Sequence, residues 1–112
     1  MKIRIPSKRI CERFHLTYEL KGARKAVEVL TEYYGIRRMR IIVDGRRVGN
    51  GNEAIHWEGK AFFTKKGLNK RNVLHELYHH IVESKGLEMS WRKEEREASM
   101  FARAVIRKSK QD

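Results

Sequence analysis

The residues of this chain best equipped for chemistry form one short run, His75-Glu76-Leu77-Tyr78-His79. Two histidines four apart on a helix stand one turn above each other on the same face. His75 and His79 can therefore aim two imidazoles at one point, which is what a tetrahedral zinc ion asks of its first two ligands. Glu76 projects beside that point, placed to take a proton from a water molecule held there.

A helix must carry this run, and its surroundings predict one. Asn69 suits the N-cap, Gly86 suits the residue just past the end, and no proline intervenes. Val73, Leu74, Leu77 and Ile81 give an apolar stripe at spacings of three and four. The competing reading makes His75 and His79 ordinary helical side chains. Between the two readings stands the question of a third ligand.

That ligand is sought on a second predicted helix, over Trp91–Ile106, with Ser90 as its N-cap and acidic residues in its first turns. Ala98, Ala102, Val105 and Ile106 form a small-residue face that lets this helix approach another closely. Glu94, Glu95 and Glu97 are the candidates. Glu95 stands three, four, seven and eleven residues before Ala98, Ser99, Ala102 and Ile106, on the packed face. Glu94 shares that face less squarely, and Glu97 looks away from it beside Met100 and Phe101. Glu95 is the expected ligand; the alternative is that all three are surface acids. Water would take the fourth position.

With these residues in place the chain resembles the gluzincins, peptidases with an H-E-x-x-H helix and a glutamate ligand on a later helix. The run Glu95–Ala102 is similar to the glutamate-helix motif of ImmA/IrrE-type peptidases and of the integral-membrane peptidases that process CaaX proteins. Ser99 departs from it, standing where the motif often has Asp or Asn to brace a histidine. Size and element order most resemble the minigluzincins, small soluble archaeal peptidases, with the specific likeness confined to Lys60–Ala104. The resemblance implies an α+β, zincin-like domain: an N-terminal helix, a twisted sheet, an active-site helix and a glutamate helix. It also implies a latent product whose chain terminus fills the cleft, for which Asp112 offers carboxylates.

The other elements read as follows. Met1–Arg4 is an extended arm leading to Pro6, and Ser7–Phe14 is a brief helix. A longer helix runs from about Tyr18 to Tyr34, with Leu20, Ala23, Val27, Leu30 and Tyr34 in phase and Gly35 as its stop. Arg38–Val43 is a strand, and Asp44-Gly45 is a two-residue turn that returns Arg46–Val48 against it. Ala54–Trp57 and Lys60–Thr64 are strands joined around Glu58-Gly59, so the expected sheet is a meander of three or four strands. Residues from about 107 to 112 form a frayed polar tail.

At 112 residues the chain has room for one core, and 1–112 reads as a single minimal domain. Lys and Arg total 26 against 14 Asp and Glu, a net charge of +12. Such a balance suits nucleic acid, anionic lipid or acidic partners, but no nucleic-acid module accompanies it, and a solvated basic surface is the preferred reading. Cys11, the single cysteine, excludes an internal disulfide and reads as a small buried residue. With no apolar run near 18 residues and no signal-peptide core, a cytoplasmic chain without membrane insertion is expected.

The expected function is zinc-dependent peptide-bond hydrolysis: one Zn²⁺ per chain on His75, His79 and Glu95, Glu76 as base, and a peptide or protein as substrate. Tyr78, His56 and His80 are auxiliary candidates for an oxyanion donor. His80 lies too far round the helix for the same metal and reads as structural or rim. The alternatives are an ImmA/IrrE-like regulator acting on or near a DNA-bound transcription factor, and a basic nucleic-acid-binding module.

Overall fold

The computed structural model describes residues 1–49 and 51–110. Four helices and three strands follow in the order α1 (Lys8–Lys21), α2 (Ala23–Tyr34), β1 (Arg40–Val43), β2 (Ala54–Trp57), β3 (Lys60–Phe63), α3 (Lys70–Lys85) and α4 (Trp91–Lys110). The class is α+β.

The N-terminal half departs from the expected brief helix over Ser7–Phe14 and longer helix from about Tyr18: the boundary falls at Gly22. Ser7 caps α1 through its side chain, and α1 runs on to Lys21. Gly22 then breaks the chain at φ 93° and ψ 177°, a conformation open essentially to glycine alone. Its N–H closes α1 on the Tyr18 carbonyl, and its own carbonyl accepts the Ala26 N–H that opens α2. The break resets the helical phase, which leaves Leu20 in solvent while Val27 and Leu30 are buried.

The sheet is not a meander. Its order is β1-β3-β2, with β1 parallel to β3 and β2 antiparallel to it. Asp44-Gly45 does not turn a hairpin: Gly45–Arg47 forms a 3₁₀ turn in which the Arg46 N–H donates to the Asp44 carboxylate. The physical reason lies in β3. Ala61, Phe62 and Phe63 are the most completely buried strand residues and take the centre, where both faces are covered. The β2–β3 hairpin does form as expected, around Glu58 and Gly59, both at positive φ as a tight two-residue turn requires.

α3 is the axis of the core. Nine of its residues are buried, from Val73 to Val82, between α4 and α2 on one side and β2 and β3 on the other. Asn69 and Gly86 cap it as expected. A helix buried this fully must satisfy every polar side chain it carries, so Tyr78, His79 and His80 each demand a partner from elsewhere in the fold. α4 continues to Lys110 instead of fraying after Ile106; Val105 is buried, and Lys108 donates to the Pro6 carbonyl at 2.9 Å.

Candidate metal centre

His75 and His79 project from α3 toward the first turn of α4. Glu95 reaches across, its Oε2 3.2 Å from His75 Nε2 and its Oε1 2.7 Å from His79 Nε2. Four ligands about 2.0–2.1 Å from a tetrahedral zinc lie about 3.3 Å from one another. The three side chains thus have the spacing of a ligand set, and the atoms concerned fall within 4.8 Å of each other.

The tautomers sharpen this. His79 Nδ1–H donates to Glu94 Oε2 at 2.5 Å. That leaves Nε2 a bare lone pair, facing a carboxylate oxygen that is also an acceptor. Buried in the fold, His79 Nε2 has no hydrogen-bond partner among the described residues despite the 2.7 Å approach of Glu95. Two acceptors in contact are repulsive unless a proton or a metal cation stands between them. The donor set, two imidazole nitrogens and a carboxylate, fits zinc.

No family model matches this chain, and no curated protein or solved structure matches it.

Around the centre lies a cleft of about 750 Å³, walled by β2 on one side and by α3 and the start of α4 on the other. Glu76 lines it, mostly buried. Burial pushes its carboxyl up to about 7; His79 opposes this and Glu95 adds to it. Burial likewise lowers His75, against the pull of Glu95. The Trp91 indole stacks on the His79 ring, centroids 5.4 Å apart and planes 14° from parallel.

Two residues that brace the histidines differ in strength. Glu94, weighed in the sequence as a ligand, instead holds His79 from behind, as carboxylates do for ligating imidazoles. Adjacent helical residues point about 100° apart, so Glu95 and Glu94 reach the two sides of one ring. Ser99 does stand behind His75, at 3.4 Å from Nδ1, a long and weak contact. Trp91 was not singled out in the sequence; only its place at the start of the helix next to the acidic cluster hinted at a role.

The other sequence candidates separate. Glu97 does not look off the packed face: it is buried and accepts the Tyr78 O–H at 2.5 Å. That bond lowers the Glu97 carboxyl and takes Tyr78 out of contention as an oxyanion donor, since its hydroxyl is buried away from the cleft. His80 is buried, shares no atom with the His75–His79–Glu95 group, and donates from Nε2 to the Arg37 carbonyl at 2.8 Å. Its Nδ1 then accepts from His56 Nε2 at 3.3 Å. His56 lines the cleft, but its Nε2–H is spent on His80 and burial holds its pKa down to about 4, so it is a neutral ring in the wall. Cys11 is buried, its thiol donating to the Pro6 carbonyl, remote from the cleft. Asp112 lies outside the described residues.

Proposed function

We propose that this chain is a zinc-dependent metalloendopeptidase of the gluzincin type, a minimal zincin-like domain. The observation that carries the reading is His79 Nε2, a buried lone pair held by Glu94 against Glu95 and His75 with Glu76 in the same cleft. His75, His79 and Glu95 would hold the ion. What zinc supplies when bound is Lewis acidity toward a water molecule and a peptide carbonyl.

The remaining work falls to the chain. Glu76, poised near neutrality by burial, takes the proton of the attacking water and passes it to the leaving amine as the C–N bond breaks. Glu94 keeps His79 in the tautomer that offers Nε2. β2 is an edge strand along the cleft, with one side unpaired by any other strand among the described residues, and an extended peptide can align on it.

Zinc content and turnover test this together. Wild type is expected to hold one zinc per chain; His79→Ala and Glu95→Ala lose it. Glu76→Gln keeps the zinc and loses peptide hydrolysis. A wild type that takes up no zinc at neutral pH would sink the proposal.

A second reading, action on or near nucleic acid, is favoured by α4. Its exposed residues are Trp91, Arg92, Arg96, Met100, Arg103, Arg107 and Lys110, and none of these cations is ion-paired among the described residues. DNA binding that weakens steeply with salt, and is lost in Arg96→Glu/Arg103→Glu, would support it.

A further inference from the structure

The cleft is charged against the grain of the molecule. Of its fourteen lining residues none is Lys or Arg, although 26 of the 112 residues are, and an even spread would put about three there. Its charged residues are Glu53, Glu76, Glu94 and Glu95. Three of these have work at the metal centre, as described above. Glu53 has none.

Glu53 is nevertheless built into place. Its carbonyl accepts from Thr64 N at 3.0 Å and Thr64 Oγ1 at 3.4 Å, at the residue that leads into β2. Gly67 lies so close that a Cβ there would stand 2.2 Å from the Glu53 carbonyl oxygen. The Asn72 side-chain amide donates both to the Gly67 carbonyl, at 2.8 Å, and to Glu53 Oε2, at 3.1 Å. The carboxylate is thus aimed from both its backbone and its tip, and no Lys or Arg among the described residues pairs with it. In a chain so rich in cations, an anchored carboxylate left without one is available to a cation from outside.

The other end of β2 has the opposite character. Trp57, 64% exposed, and Trp91, 70% exposed, both line the cleft. At about 3.3 Å per residue, Glu53 and Trp57 are separated by about 13 Å of strand. An extended peptide beside β2 meets both.

Resting on the peptidase reading, we infer that the cleft selects peptides that pair a cationic side chain, read by Glu53, with a large apolar side chain, read by Trp57 and Trp91. Glu53 is a specificity residue: it touches the substrate away from the reacting atoms. The basic surface outside the cleft repels such peptides weakly at working salt, whereas the local carboxylate attracts them at contact.

The test uses the zinc-loaded full chain and a panel of peptides with one central aromatic residue and Lys, Ala or Glu scanned through the positions on either side. At one position Lys is expected to exceed Glu by about threefold or more in kcat/KM, mostly through KM, with the ratio shrinking as salt is raised. Glu53→Gln, which can keep the Asn72 bond, brings that ratio near one, and Glu53→Lys reverses it. Glu58→Lys, at the exposed β2–β3 turn outside the cleft, keeps the wild-type order. Cleavage without charge preference, or a preference that survives Glu53→Lys, overturns this inference and leaves the peptidase reading standing. No cleavage of any peptide by the zinc-loaded wild type overturns both.

Discussion

At the scale of single residues, the centre depends on which nitrogen of each imidazole is free. Glu94 fixes this for His79 with a short charge-assisted bond, while His75 has only the long contact to Ser99. Glu94→Gln keeps a hydrogen-bond acceptor but removes the charge, and zinc affinity is expected to fall about 10- to 100-fold, read by competition with a chelator. Ser99→Asp should strengthen affinity by bringing a carboxylate behind His75. The Tyr78–Glu97 bond is a different matter, since it is buried and lies outside the His75–His79–Glu95 group. Tyr78→Phe leaves the Glu97 carboxylate without its short partner and should cost about 1–3 kcal/mol in urea unfolding, with zinc stoichiometry unchanged. Zinc lost in the folded Tyr78→Phe protein would show that the pair also positions α4.

At the scale of elements, two glycines do opposite jobs. Gly22 needs its backbone conformation and has open space around it, so Gly22→Ala introduces strain and no clash. It should lower stability by about 1–3 kcal/mol and leave the centre alone, since no residue of α1 or α2 lines the cleft. Gly67 has the ordinary conformation but no room, because any Cβ meets the Glu53 backbone. Gly67→Ala must push the start of β2 away, so it should disturb the cleft and peptide turnover while α3 still binds zinc. Comparing zinc content with turnover in the two variants separates the effects.

At the scale of the whole molecule, His56 joins the sheet to the buried helix through His80 and makes the fold sensitive to acid. In an unfolded chain histidine titrates near ~6.5. In the fold His56 titrates at about 4, because burial disfavours the imidazolium and His80, His79 and Arg37 repel it. Between those values the unfolded state binds the extra proton. The stability is therefore whole above about pH 6.5 and declines as pH falls toward 4, by about 2 kcal/mol after allowing for solvent around the half-buried ring. His56→Gln should flatten that part of the stability–pH curve relative to wild type. An unchanged slope would mean that other groups carry the acid sensitivity. No helix among the described residues is long and apolar enough to cross a membrane. Of the +12 charge, α4 gathers Arg92, Arg96, Arg103, Arg107 and Lys110 into an exposed stripe.

What the chain's order of residues determined by itself was local. The spacing of His75, Glu76 and His79, the caps at Asn69 and Gly86 and the Glu58-Gly59 hairpin depend on the period of a helix or the geometry of one turn, and all were legible without coordinates. The place of Glu95 beside His75 and His79 was legible too, although the face argument that chose it misplaced Glu97, which is the buried acid of α4. Tertiary structure decided the rest. Glu94 and Glu97 took their roles from His79 and Tyr78, residues 15 and 19 positions away, whose needs arise only once α3 is buried. The Asp44-Gly45 signal was overruled because β3, with its two phenylalanines, gained more from burial at the centre of the sheet than a local hairpin could offer. Turn and helix preferences act over a few residues; competition for the buried positions is settled by the whole chain at once.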